Sequence, residues 1–233
     1  MGSEPRLAVN EIFGPTFQGE GVNLGVPCVF LRLAGCNLSC EWCDTAYTWD
    51  WSRYSKDDEI DVMTIAKTYD AIRTVAGPLI RHLVISGGEP MLQQRGLALL
   101  GEHLRHDGWF TEIETAGTVM PDSSSLVNHF TVSPKLSNSG NSERKRYRPD
   151  VLKTLNGYDS TCFKFVVSDL KDFEEIDDIV TSLHLKNIFV MPEGIDSGVL
   201  KKRLEVLADA ALERNYRLTP RLHVLIYGNR RAV

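Results

Sequence analysis

Three of the chain's five cysteines fall within eight residues, in Gly35-Cys36-Asn37-Leu38-Ser39-Cys40-Glu41-Trp42-Cys43-Asp44-Thr45. Thiolates are soft donors that suit zinc and iron–sulfur units. A structural zinc site is normally closed by four nitrogen or sulfur ligands, and no histidine lies near these three thiols. Cys28 could serve as a fourth, but it enters an apolar run, Pro27-Cys28-Val29-Phe30, and reads as buried packing; Cys162 heads another such run and reads the same way. Three thiolates separated by three and two residues instead suit a [4Fe–4S] cluster held at three corners. Its fourth iron is then open to bind a substrate or cofactor directly. Clustered free thiols point to a reducing compartment, and the expected location is the cytoplasm.

The rest of the composition narrows the partners. The chain of 233 residues is 42% hydrophobic and 24% charged, ordinary for a soluble protein, and its net charge is −5. With no basic stripe, tight binding to a nucleic-acid backbone is not expected, and the substrate should be small. The densest positive run, Arg144-Lys145-Arg146-Tyr147-Arg148, reads as a solvated loop. No apolar run is long enough to cross a bilayer. The opening stretch lacks the apolar core of a signal peptide, and Met1-Gly2-Ser3 reads as a remnant of expression.

Length alone allows one α/β barrel-like domain or two small ones. Apolar runs rich in β-branched and aromatic residues recur at 29–33, 82–86, 110–114, 129–133, 162–167, 187–191 and 222–226. Between them, 61–76, 92–106, 170–183 and 197–215 carry helical spacing, the first stopped by Gly77-Pro78. Strands alternating with helices predict a mainly parallel sheet, whose ligands sit beyond the carboxyl ends of the strands. The residues following these strands are small, polar or backbone-exposing: Gly35 and the cysteines; Gly87-Gly88-Glu89-Pro90; Thr115-Ala116-Gly117; Ser133-Pro134-Lys135; and Met191-Pro192-Glu193-Gly194. Gly and Pro punctuate any turn, but turn chemistry does not explain why Glu89, Thr115 and Lys135 accompany them at one rim.

Cys36-x3-Cys40-x2-Cys43, with Trp42 before the last cysteine, resembles the signature of the radical S-adenosylmethionine (SAM) superfamily, and Gly87-Gly88-Glu89-Pro90 resembles its glycine-glycine-glutamate motif. The resemblance implies that the open iron chelates the methionine end of SAM, and that the cofactor carries the hard chemistry while the protein positions it.

The segment Glu11-Ile12-Phe13-Gly14-Pro15-Thr16-Phe17-Gln18-Gly19-Glu20-Gly21, expected to precede the first strand as a substrate-capping loop, is similar to the opening of the 7-carboxy-7-deazaguanine synthases. Arg32, Cys43-Asp44-Thr45, Glu114-Thr115-Ala116-Gly117 and Leu222-His223-Val224-Leu225-Ile226-Tyr227-Gly228 extend the similarity over nearly the whole chain. That family implies one radical SAM core domain over 1–233, a partial, shortened TIM-like barrel, and a homodimer. It also implies 6-carboxy-5,6,7,8-tetrahydropterin as substrate, 7-carboxy-7-deazaguanine and ammonia as products, SAM that is regenerated, and an external electron donor such as a flavodoxin.

Carried over residue by residue, the resemblance gives the cluster to Cys36, Cys40 and Cys43. It gives SAM to Trp42, Cys43, Asp44, Gly88, Glu89, Gly117, Ser133, Pro134, Lys135, Met191, Pro192, Glu193 and Gly194. Phe17, Gln18, Gly19, Glu20, Arg32, Thr115 and the main chain of Val233 fall to the substrate. The planar fork of Arg32 matches a carboxylate. Thr45 would ligate a Mg2+ ion shared with that carboxylate, although by sequence alone a threonine here reads as a turn or helix cap. His223 orients nearby groups or is packed in its strand. The chain departs from the family at Ala116, where serine is common, and at 138–148, which reads as a flexible insertion. Two alternatives stand beside this reading: an activating enzyme that makes glycyl radicals on a partner protein, and a non-enzymatic adaptor stapled by zinc.

Overall fold

The computed structural model describes residues 5–233, so the Met1-Gly2-Ser3 opening lies outside the described residues. Strands β1 (Arg6–Phe17), β2 (Pro27–Leu33), β3 (Asp61–Thr64), β4 (His82–Gly87), β5 (Phe110–Thr115), β6 (His129–Val132), β7 (Thr161–Val167), β8 (Ile188–Pro192) and β9 (Arg217–Leu218) form one sheet. Its order is β3-β1-β2-β4-β5-β6-β7-β8-β9. From β2 onward the pairings are parallel, whereas β1 runs antiparallel to both β2 and β3. The ends β3 and β9 do not pair, so the barrel is shortened and open, as expected.

The helices, in chain order, are α1 (Lys56–Glu59), α2 (Ile65–Ala76), α3 (Gln94–His106), α4 (Glu143–Arg146), α5 (Pro149–Asn156), α6 (Asp172–Leu183), α7 (Ser197–Glu213) and α8 (Leu222–Tyr227). Thr64 Oγ1 caps α2 by accepting from Lys67 N, and Asp196 Oδ1 caps α7 by accepting from Val199 N at 2.9 Å. Ile72, Leu97, Leu100, Leu155, Ile176 and Leu207 from these helices bury against Leu31, Leu33, Ile85, Ile113, Phe163 and Val190 of the sheet. The opposite face of the strands carries Arg32, Ser86, Glu112, Glu114, Thr131 and Lys164 beside the apolar Phe30, Val84 and Val166, so charged and polar groups gather on the inside of the curved sheet.

Three expectations fail. The segment leading into Phe17 is a 12-residue strand, not a loop: its alternating burial lets Leu7 and Val9 join the core. The start of the helix expected over 61–76 is instead strand β3, which pairs with β1, so the helix begins at Ile65. The run 222–226 is helix α8 rather than a strand. Of its apolar residues only Val224 is buried, while Leu225 and Ile226 face outward, so composition mimicked a strand where no period-2 burial exists.

Candidate active site

A cavity of about 410 Å³ opens at the carboxyl ends of the parallel strands, within the usual range for small-molecule sites. The cysteine loop follows β2, and the Gly87-Gly88 pair at the end of β4 crosses directly against it. Gly88 N donates to Leu33 O at 3.0 Å and Glu89 N to Gly35 O at 2.8 Å. A Cβ on Gly88 would overlap the Gly35 carbonyl and sit 3.1 Å from Cys36 Cβ, so only glycine permits this approach.

Each of the three thiols has its own N–H donor. Leu38 N reaches Cys36 Sγ at 3.4 Å, Asn141 Nδ2 reaches Cys40 Sγ at 3.3 Å, and Trp49 Nε1 reaches Cys43 Sγ at 3.3 Å. Burial pushes the Cys36 thiol up to about 12 and raises that of Cys40. Such sulfurs stay anionic only beside a cation, and the donors favour the anion. Among the described residues, no three His, Cys, Asp or Glu side chains gather as ligands of one metal ion. Three sulfurs spread around a loop, each with a donor, fit the corners of a cubane better than a single zinc. Cys28 and Cys162 are buried away from this loop. Cys162 Sγ lies 3.4 Å from His129 Nε2.

The segment 138–148 is not a flexible insertion but one wall of this loop. Asn141 Oδ1 accepts from Ser39 N at 3.0 Å, Ser139 O from Glu41 N at 3.1 Å, and Asn138 O from Trp42 Nε1 at 3.0 Å. Nor is the basic run simply solvated: Arg146 is buried, pairs with Glu175 and donates to Lys135 O at 3.0 Å.

Of the residues expected on the SAM side, Trp42, Cys43, Asp44, Gly88, Ser133, Lys135, Met191, Glu193 and Gly194 line the cavity. Lys135 Nζ donates to Ser133 O and Oγ at 2.9 Å and sits 5.8 Å from the centre of the Trp42 ring. Glu89, Gly117, Pro134 and Pro192 do not line it. Glu89 is buried beneath the rim, where its carboxylate accepts from Thr115 Oγ1 (2.8 Å), Ala116 N (2.8 Å) and Met91 N (3.0 Å). Burial raises its pKa against these donors, so the structure uses Glu89 to tie β4 to the turn after β5. In the described structure its oxygens are committed to protein donors rather than offered to the cavity.

Of the residues expected at the substrate and the Mg2+ ion, Phe17, Gln18, Glu20, Arg32, Thr115, Thr45 and Val233 line the cavity and Gly19 does not. Gln18 and Glu20 are among the residues that the resemblance gives to the substrate. Instead Gln18 Nε2 bonds Glu112, and Glu20 pairs through Oε2 with Lys164 and through Oε1 with Arg221 Nε at 3.0 Å. Burial alone would raise the Glu20 carboxyl, but Lys164, Arg221 and His223 hold it well below the usual range. Gly19 has a packing role: a Cβ there would strike the His223 ring, and Gly19 O accepts from Leu222 N at 2.8 Å, which seats α8. Arg32 Nε donates to Glu11 Oε1 at 2.6 Å and its guanidinium lies 5.3 Å from the Phe13 ring centre; among the described residues no hydrogen bond leaves its Nη atoms. Thr45 does not cap the turn Ala46–Thr48 with its side chain; its hydroxyl lies 3.6 Å from Cys43 Sγ.

Sequence reasoning missed Lys164, Arg221, Tyr47, Trp49 and Asn141. Lys164 carried a signal, since it is the one charge in the buried strand Thr161–Val167 and so had to face a polar interior. Arg221 carried none. Its Nη1 donates to Gly194 O at 2.7 Å and its Nη2 pairs with Asp44, contacts that link segments distant in sequence.

Residues 17–146 match the family model of the 4Fe-4S single cluster domain. The chain is 37% identical over its full length to the whole 7-carboxy-7-deazaguanine synthase of Pyrobaculum aerophilum. To that of Bacillus cereus it is 34% identical, over 98% of this chain and 99% of the relative. The crystal structure of QueE from Escherichia coli superposes with a TM-score of 0.73 at 29% identity, covering 94% of this chain and 95% of that one. A three-thiol loop at the strand ends of an open barrel, in a sequence alike from end to end, leaves one assignment: the chain belongs to the 7-carboxy-7-deazaguanine synthases, a family of radical SAM enzymes.

Proposed function

We propose that this protein converts 6-carboxy-5,6,7,8-tetrahydropterin to 7-carboxy-7-deazaguanine with loss of ammonia, in 7-deazapurine biosynthesis of the queuosine type. The observation that carries this reading is the joint cavity. The thiols, the Trp42–Lys135–Ser133 group, Arg32, Phe17 and Thr115 all line it. Cys36, Cys40 and Cys43 would hold a [4Fe–4S] cluster, with Trp42, Asp44, Lys135 and residues 191–194 around SAM. Together these cofactors supply a reducing electron and a radical able to take hydrogen from the substrate's C6. The chain's own work is to orient and to exclude water. The Arg32 Nη pair meets the substrate carboxylate, Phe17 and Phe13 flank the rings, and α8 with residues 228–233, Val233 among them, covers the mouth. Thr45 would supply its hydroxyl to a Mg2+ ion that helps hold the substrate; that its side chain lines the cavity and makes no capping bond supports this.

In this reading residues 1–233 act as one radical SAM core domain, with the end of β1 and the turn after it, Phe17 to Glu20, closing over the substrate. The enzyme works as a cytoplasmic homodimer supplied with electrons by a donor such as a flavodoxin. Among the described residues, no helix is long and apolar enough to cross a membrane.

Anaerobic reconstitution tests the cluster assignment. Cys36→Ala, Cys40→Ala and Cys43→Ala should each lose iron, sulfide and the charge-transfer absorption near ~400 nm expected of thiolate–iron sites. Cys28→Ala and Cys162→Ala should keep them. A folded Cys28→Ala protein without iron would overturn the three-thiolate assignment.

A further inference from the structure

The last residues of the chain cross the cavity mouth, and Arg231 fixes the crossing. Its Nε donates to Glu11 Oε2 at 3.0 Å, its Nη2 to Glu59 Oε2 at 2.7 Å and Asn10 Oδ1 at 3.2 Å, and its Nη1 to Glu59 Oε1 at 3.2 Å. The guanidinium lies 3.9 Å from the centre of the Tyr47 ring. Glu11 is shared: its Oε1 accepts from Arg32 Nε at 2.6 Å and from Tyr47 OH at 3.2 Å. Asn10 Nδ2 closes the frame by donating to Glu59 O at 2.7 Å.

An isolated exposed ion pair would contribute little, and the Arg231 side chain is 42% exposed. Here, however, one guanidinium engages two carboxylates, an amide oxygen and a ring at once. The carboxylates are themselves mostly buried, at 13% and 15% exposed. A network of this kind is the case in which such pairs count. It also constrains Arg32. Arg231 Nε holds Oε2 of Glu11 while Arg32 meets Oε1 through Nε alone, and the paired Nη groups of Arg32 stay free.

We infer that Arg231 is a positioning residue: through Glu11 it straps residues 228–233 over the mouth and sets the direction in which the Arg32 fork points. The inference rests on the proposed function, since it takes the fork to receive the substrate carboxylate. Without Arg231, Oε2 of Glu11 loses its partner and takes a second donor from Arg32 in a bidentate pair, a frequent geometry for arginine and carboxylate, and the fork is withdrawn from the ligand.

Two readouts test this on cluster-loaded protein. Amide hydrogen exchange without substrate reports the strap; the KM for 6-carboxytetrahydropterin reports the fork. Arg231→Ala should speed exchange over 229–232 by roughly tenfold or more and raise KM by roughly tenfold while kcat changes less, as expected for losing charge-assisted contacts. Glu11→Gln should raise KM similarly but speed exchange less, because Glu59 still holds the tail. Arg231→Lys should fall between the parent and alanine in both readouts. Unchanged exchange in Arg231→Ala, or faster exchange with KM unaltered, overturns the inference. A parent protein that does not bind the pterin refutes the proposed function and the Arg32 half with it, while the strap is still decided by exchange.

Discussion

Replacing Arg221 by methionine would remove a side chain that joins three separate parts of the site. Its Nε holds Glu20 after β1, its Nη1 the Gly194 carbonyl after β8, and its Nη2 Asp44 after the cysteines. Methionine keeps a similar apolar stem and deletes only the charged fork. Breaking a buried pair costs about 3–5 kcal/mol when a partner is left uncompensated. Glu20 would keep Lys164, and the Asp44 side chain, 36% exposed, can turn to water. The lower end, about 3 kcal/mol, therefore applies. For a chain of this size each kcal/mol moves the melting midpoint by roughly 2–4 °C, so the drop should be about 6–12 °C. Scanning calorimetry on the variant measures it. The double variant with Glu20→Gln should lose less than the sum of the two single changes, because both act on one pair. A midpoint within about 1 °C of the parent would refute the argument that Arg221 joins these segments.

Three further changes probe the site. Arg32→Lys keeps the charge but loses the fork, and should weaken pterin binding by about 1.5–3 kcal/mol, roughly 10- to 150-fold, in titration calorimetry; unchanged affinity would leave Arg32 as a partner of Glu11 alone. Thr45→Ala should abolish the rise in product formation on adding Mg2+ to metal-stripped enzyme while sparing the cluster spectrum, and Thr45→Ser should retain most of it; identical Mg2+ curves for parent and alanine would move the ion elsewhere. Asn141→Leu and Trp49→Phe each remove an N–H donor to a thiolate, and should lower the cluster's midpoint potential by some tens of millivolts in a redox titration, since such donors stabilise the electron-rich state.

The parts of the site legible in the sequence are those written locally. Spacing alone gathered Cys36, Cys40 and Cys43, and Gly87-Gly88 announced a close approach that the fold realises against Gly35. The rim residues followed from strand runs and the rule for parallel sheets. What escaped was set by tertiary partners. Glu89 sits in a motif, but its carboxylate is claimed by Thr115, Ala116 and Met91, whose positions depend on the register of β4 and β5. Gln18 and Glu20 sit beside glycine, yet Glu112, Lys164 and Arg221 approach them from 94 or more residues away. Residues 138–148 had the composition of a loose loop and became a wall because Trp42 and Ser39 bond to them. The run 222–226 failed because β-branched composition does not specify which face is buried.

The central claim is that the thiols and the Arg32 side of the cavity serve one reaction. It is tested most directly by incubating the reconstituted protein anaerobically with reductant, SAM and 6-carboxy-5,6,7,8-tetrahydropterin, followed by mass analysis of the products. The expected result is 7-carboxy-7-deazaguanine formed over many turnovers with matching ammonia and little net loss of SAM. A protein with an intact cluster that cleaves SAM but leaves the pterin unchanged would contradict it.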